Sequence, residues 1–192
     1  MTRWLAKSTD DEDLVIRFQR GETAVFEELY RRHAPMLFGL VRRYLGGGGS
    51  GGGSAEDVLQ EIFMALFTAL PGFRKEARFA TWAYRIALNC LARHGGAEPC
   101  DALDEEDGKQ SSLLAGIPKP TLNLWLEAGL AKLASGYKKV LLLHDLCGFH
   151  HDEIALILNI SEGASRSQLS RARSALRSAM LAENRKEVAH AG

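Results

Sequence analysis

Cysteine is scarce in this chain. Cys90, Cys100 and Cys147 are three in number and lack the paired spacing of a zinc ribbon or finger. Reduced thiols of a cytoplasmic protein are therefore expected. Long apolar runs are missing too. No stretch approaches the ~20 consecutive apolar residues that span a bilayer, so no membrane insertion is expected. Residues 1–7 are too few and too polar for the apolar core of a signal peptide. Strict apolar/polar alternation, the mark of a strand, occurs nowhere. Groupings of catalytic type are absent as well: there is no Ser/His/Asp set, and the one glycine-rich stretch lacks the following Lys-Ser/Thr of a phosphate loop. The chain reads as a non-enzyme that needs no cofactor. His144, Cys147, His150 and His151 crowd together, but adjacent helical side chains such as His150 and His151 do not face each other. They read as turn and cap residues, not as metal ligands. Net charge is also lacking, with 24 Lys+Arg against 24 Asp+Glu. At face value this argues against nucleic-acid binding.

What is present reverses that last inference. Hydrophobic residues make up 46% of the chain, enough for a real core. The charges are segregated: residues 98–107 carry Glu98, Asp101, Asp104, Glu105, Glu106 and Asp107 with no base, whereas 166–186 is basic. Local charge, not net charge, governs binding to phosphates.

Apolar residues recur at helical spacing in successive segments. Leu14, Val15 and Phe18 follow an acidic start at 10–13, and Gly21 ends that helix. A long helix over 22–45 carries Phe26, Leu29, Tyr30, His33, Leu37, Leu40, Val41 and Tyr44, with Pro35 expected to bend it. Residues 46–54, GGGGSGGGS, form a flexible stretch whose regularity reads as an engineered joint in place of a loop. A helix over 55–70 buries Val58, Ile62, Phe63, Leu66 and Phe67 before Pro71-Gly72 stops it. A short basic-aromatic loop at 73–78 leads into a helix over 79–93. Residues 95–120 read as an acidic linker. Leu122, Leu126, Leu130 and Leu133 then stripe one helix and 140–146 a second, and the tail after Leu181 is expected to fray.

The stretch 150–180 is the most specific. Ile154, Ala155 and Leu158 share one side of a short helix, broken at Asn159-Ile160-Ser161. Ser161 suits an N-cap and Glu162 the first turn of the next helix. That helix presents Leu169, Ala172, Leu176 and Met180 on one side. Arg166, Ser167, Ser170 and Arg171 lie on the other, flanked by Arg173 and Arg177. Two helices, a tight turn and an exposed Arg/Ser face make a helix-turn-helix.

AEDVLQEIF at 55–63, FRKEARFATWAYRIALN at 73–89 and GASRSQLSRAR at 163–173 together resemble bacterial RNA polymerase sigma factors of the small, two-domain extracytoplasmic-function (ECF) class. The resemblance implies an all-α fold with two small helical domains, a region 2-like bundle at 10–95 and a region 4-like helix-turn-helix at 121–182, joined by a flexible acidic linker at 96–120. It implies docking of region 2 on the β′ clamp helices of core RNA polymerase and of region 4 on the β flap. It also implies opening of the −10 element, reading of the −35 element in promoter DNA, and control by an anti-sigma factor.

On the residues, Asp57, Gln60 and Glu61 give an acidic, hydrogen-bonding helix face for polymerase. Phe73, Arg74, Arg78, Phe79, Trp82 and Arg85 combine aromatic and basic groups suited to a −10 single strand. Asn89 matches the family's Asn at the site of an extruded base. For the −35 element, Arg166 and Arg171 suit guanine edges and Ser167 and Ser170 suit bases or phosphates, while Gln168 and Arg173 suit phosphates. Three departures stand out. Ser165 replaces a usual β-branched residue, Gln168 a usual Arg, and Arg93 with Gly95-Gly96 a usual Asp and basic run. The rival reading is a stand-alone helix-turn-helix regulator, which would bind duplex tightly without polymerase.

Overall fold

A computed structural model describes residues 8–46, 54–94 and 119–190, with side chains over 11–46, 54–94 and 123–182. Most of the glycine/serine stretch and of the acidic linker lies outside the described residues, as do Cys100 and the side chain of Leu122. All described regular structure is helical. The N-terminal module holds α1 (Ser8–Gln19), α2 (Phe26–Leu45), α3 (Ala55–Ala69) and α4 (Phe79–His94). The C-terminal module holds α5 (Lys119–Ala131), α6 (Ser135–Leu141), α7 (His151–Leu158) and α8 (Glu162–His190).

Local chemistry fixes the ends of these helices. Gly21, at φ +101°, turns the chain after α1, and one turn of 3₁₀ helix, Thr23–Val25, precedes α2. Ser54 closes a capping box on α3: its Oγ accepts from the Asp57 amide at 3.2 Å, and its own amide donates to Asp57 Oδ2 at 3.0 Å. The last residue of the low-complexity stretch therefore has a structural task. Pro35 sits inside α2, exposed to solvent. There the carbonyl that its missing N–H leaves unpaired can be hydrated. Beyond α6 the chain widens into a π-helical turn, Leu142–Leu146. Helix α8 runs on to His190, consistent with the good helix formers Ala, Glu, Arg and Lys in its tail.

Each module buries the stripe its sequence offers. Val15, Leu29, Leu37, Leu40, Val41, Val58, Ile62, Leu66 and Leu91 are essentially sealed in the first. Val140, Leu143, Ile154, Leu169 and Ala172 play that part in the second. Phe67 departs from the expected pattern at 43% exposed, and Leu59 takes a place in the core instead. Helix α1 is tied to α2 by a buried polar cluster as well as by apolar packing. Asp11, 6% exposed, accepts from Arg32 at 3.0 Å and lies 2.9 Å from His33 Nε2. The modules also touch. Helix α7 packs on α4, and α5 and the π-helical turn pack on α2, so one apolar cluster runs through both.

Candidate nucleic-acid interface

The helix-turn-helix is assembled by backbone geometry at its corner. Asn159 adopts the left-handed conformation (φ 55°, ψ 49°) that ends α7, and the Ile160 amide donates back to the Ala155 carbonyl at 3.1 Å, a Schellman-type closure. Two residues later Ser161 Oγ accepts from the Ala164 amide at 3.0 Å and starts α8. Ser165 is fully buried, and its Oγ lies 2.9 Å from His151 Nδ1. A polar bond thus occupies the place where the family pattern has a β-branched contact, stitching the start of α7 to the start of α8. The His151 ring stacks on His144 at 4.9 Å. Asp145 then joins His144, at 2.8 Å, to Arg173, at 2.5 Å. Burial raises the Asp145 carboxyl, but the bonds from Arg173 and His144 outweigh it and hold the group below its ordinary range. The Cys147 thiol bonds Tyr84, and burial pushes it up to about 12. Among the described residues no three His, Cys, Asp or Glu side chains gather as a metal site.

The outward face of α8 carries Arg166, Ser167 and Ser170 exposed, with Gln168 and Arg171 half-buried beside them. Arg166 pairs with Glu162 one turn earlier at 2.5 Å, and the Ser167 hydroxyl donates to the Ala164 carbonyl at 3.2 Å. Arg173 lies at the edge of this face, held by Asp145.

On the N-terminal module, Arg78, Trp82, Arg85 and Asn89 follow one another at spacings of three and four along α4 and its approach, so they form a single stripe. The arginines and Asn89 are exposed and Trp82 half-buried, while Arg74 is exposed on the loop before the helix. Phe73 and Phe79 are buried, at 7% and 3% exposure. Phe73 packs against Trp82 at a 4.7 Å centroid distance with the rings tilted by 38°, and Phe79 lies against the same indole at 5.9 Å. The two phenylalanines thus support Trp82 from within. The loop is pinned by Gln19, whose amide donates to the Leu70 and Phe73 carbonyls at 3.2 and 2.9 Å. Sequence reading missed Gln19 because its partners lie on a distant segment.

On α3, Asp57 and Gln60 are exposed, and Asp57 is engaged in the capping box. Glu61 is half-buried; it binds Arg93 and lies 2.6 Å from His94 Nε2. These bonds, led by the one from His94, hold its carboxyl below the ordinary value. Beside Gln60 lies an apolar groove of about 610 Å³. Tyr30, Met64 and Phe67 line it and stay exposed at 46%, 65% and 43%. The apolar periodicity of α2 and α3 gave no hint that part of the stripe faces outward.

A helix-turn-helix on one module and a basic stripe with aromatic backing on the other are the features expected of a DNA-binding protein built from two helical units. Residues 29–94 match the Sigma-70 region 2 family and residues 123–176 match Sigma-70, region 4. The ECF RNA polymerase sigma-E factor of Escherichia coli (strain K12) is 32% identical over 187 residues, covering 90% of this chain and 95% of that protein. The RNA polymerase sigma-H factor of Pseudomonas aeruginosa (strain PAO1) is 29% identical, covering 88% and 93%. Among solved structures, CnrH in complex with the cytosolic domain of CnrY superposes with a TM-score of 0.68 at 25% identity, covering 90% of this chain and 97% of that one. The sigma factor RpoE of Bartonella quintana, in complex with the anti-sigma factor NepR, shares the fold with a TM-score of 0.54 at 18% identity, covering 80% and 97%. The chain belongs to the ECF class of bacterial RNA polymerase sigma factors, which direct the polymerase to promoters. Membership across both modules sets aside the stand-alone regulator. No described helix is long and apolar enough to cross a membrane.

Proposed function

We propose that residues 121–182 read the −35 element and residues 10–95 open and hold the −10 element, with 96–120 as the tether between them. The observation that carries this division is the pair of faces just described, a recognition helix on α8 and the Arg78–Trp82–Arg85–Asn89 stripe on α4. In the −35 unit, Arg166 and Arg171 address base edges, where a bidentate guanine contact is worth about 1–3 kcal/mol of discrimination. Ser167, Gln168, Ser170 and Arg173 address phosphates and neighbouring bases. In the −10 unit, Trp82 offers a stacking surface, Arg74, Arg78 and Arg85 neutralise phosphates, and Asn89 hydrogen-bonds an extruded base. The burial of Phe73 and Phe79 supports a positioning part for them beneath Trp82. Melting then follows from differential binding: a surface that holds unpaired bases better than paired ones shifts the equilibrium towards open DNA.

Core polymerase is the first partner, bound at the β′ clamp helices and the β flap. Gln60 and Asp57 on α3, with Glu61 behind them, form the polar part of the clamp-facing surface. The adjoining Tyr30–Met64–Phe67 groove supplies its apolar part. An anti-sigma factor is the second partner, as the sigma factor RpoE of Bartonella quintana is bound by the anti-sigma factor NepR.

Run-off transcription with core polymerase on a library of promoters tests the reading. Initiation at specific sites that depends on this protein, collapsing with Asn89→Ala and with Arg171→Ala, is expected. Initiation indifferent to both substitutions would overturn the residue assignment.

A further inference from the structure

The loop that leads into the −10 stripe is fastened to the first helix at both of its ends. At the near end Gln19, the last residue of α1, reaches a segment 51 to 54 positions away in sequence. Its Nε2 donates to the Leu70 carbonyl at 3.2 Å and to the Phe73 carbonyl at 2.9 Å. These carbonyls bracket the single 3₁₀ turn Leu70–Gly72, and a side-chain amide with two protons satisfies both at once. At the far end the tie runs through α2. Buried Asp11 of α1 lies 2.9 Å from His33 Nε2, and the His33 ring meets Phe79, the first residue of α4, at 5.2 Å and 64°. Between the two ties Lys75 is held at φ +59°. That left-handed backbone is uncommon for a residue other than glycine and persists only where the surroundings impose it.

Phe73 links the loop to the stripe. Its carbonyl takes the bond from Gln19, while its ring packs against Trp82 at a 4.7 Å centroid distance. The peptide so held is also the one from which Arg74 departs. Phe73, Arg74, Trp82 and Arg85 are walls of one cleft, so the placement of the loop sets the spacing between its basic and aromatic groups. Given the −10 reading above, we infer that Gln19 is a positioning residue for capture of the −10 strand. It acts through the loop and not on the DNA, holding Arg74 and the support of Trp82 at the spacing that unpaired bases require. Without this bond the loop must be ordered at the moment of binding, and that ordering subtracts from affinity. Discrimination falls as well, because a wall free to move accommodates a wrong base more easily.

Holoenzyme reconstituted from core RNA polymerase and the full chain provides the test, on promoter fragments already unpaired over the −10 element. Gln19→Met keeps the side-chain length and removes the donor; Gln19→Lys restores a donor to the same place. Binding to the cognate fragment should weaken about five- to tenfold in Gln19→Met, the cost of ordering roughly one further side chain on binding, and should recover in Gln19→Lys. The ratio of affinities for cognate fragments and for fragments with one −10 base replaced should fall in Gln19→Met. Affinity for core polymerase, read by competition with the unaltered chain, should not change. A role confined to stability would lower the urea midpoint and leave the ratio in place, and that result would overturn the inference. Cognate binding that is unchanged in Gln19→Met but lost in Asn89→Ala would overturn it too, with the −10 assignment left standing. Indifference to both substitutions would overturn the −10 assignment and the inference with it.

Discussion

Replacing Asp11 by Asn should cost this protein far more than an ordinary change in a first helix. The carboxylate is 6% exposed and meets Arg32 at 3.0 Å and His33 at 2.9 Å, and the Arg32 side chain is itself only 16% exposed. Breaking a buried pair by removing one partner costs about 3–5 kcal/mol, because the remaining charge stays buried without compensation. Here the loss falls at or below the lower end of that range, since Arg32 keeps a second carboxylate, Glu28, at 2.6 Å. About 2–3 kcal/mol is expected. Urea unfolding followed by circular dichroism measures it, comparing Asp11→Asn, Arg32→Met and the double variant. The double variant should be less destabilised than the sum of the singles, because neither member of the pair is left as a lone buried charge and Glu28 keeps Arg31 at 2.5 Å.

The same group sets a pH signature. Burial raises the Asp11 carboxyl, but the bonds and charges of His33 and Arg32 outweigh it and leave the group below its ordinary value of 3.8. A carboxylate depressed in the folded state contributes stability above its unfolded pKa and loses it as pH falls through the folded value. The gap between the unaltered chain and Asp11→Asn should therefore shrink as pH falls below about 4. A cost under about 0.5 kcal/mol at neutral pH, the range of ordinary surface changes, would refute the reasoning.

Three further outcomes follow from particular contacts. Ser54→Ala removes the capping box of α3 and should cost about 1 kcal/mol in the same urea assay, which would show that the glycine/serine stretch is not inert at its end. Asp145→Asn releases Arg173, so affinity for −35 duplex should rise and the salt dependence of binding should steepen by about one phosphate contact in a filter-binding titration. His151 is held below its ordinary 6.5, first by burial and then by the charges of His144 and Arg166. A histidine depressed on folding favours the neutral form, so stability is full above pH 6.5 and falls as pH drops through the lowered value. Amide exchange in α7 and α8 should accelerate on that descent, and His151→Gln should flatten the response.

Much of the architecture was legible in the sequence because the signals are local. The corner of the helix-turn-helix is written in Asn159 and Ser161, one able to adopt the left-handed conformation and the other to cap, with apolar residues at helical spacing on either side. What escaped was set by distant segments. Periodicity marks Phe67 and Tyr30 as apolar but cannot say that they stay partly exposed, at 43% and 46%. An aromatic beside arginines reads alike whether it faces a base or the core, so Phe73 and Phe79 were distinguishable from Trp82 only once α4 had a neighbour. Gln19 carries no pattern at all, since its carbonyl partners are brought to it by the fold. Ser165 read only as a departure from the family pattern because its partner, His151, lies on the preceding helix.

The balanced net charge, which first argued against a DNA ligand, takes on a different meaning beside the ion pairs. Arg166 is paired with Glu162, Arg173 with Asp145 and Arg78 with Glu153, and all three guanidinium groups remain at least half exposed. Pairs so placed contribute about 0–1 kcal/mol each, so exchanging a carboxylate for a phosphate costs little where the geometry of a true site supplies further contacts. On arbitrary DNA there is no such supplement, and each phosphate must displace an acid already in place. Internal pairing of this kind lowers non-specific affinity more than specific affinity, because the specific complex adds base contacts that the acids do not contest. For a subunit that must find few promoters among many other sequences, neutral overall charge with paired arginines is thus compatible with DNA binding and favours selectivity over raw affinity.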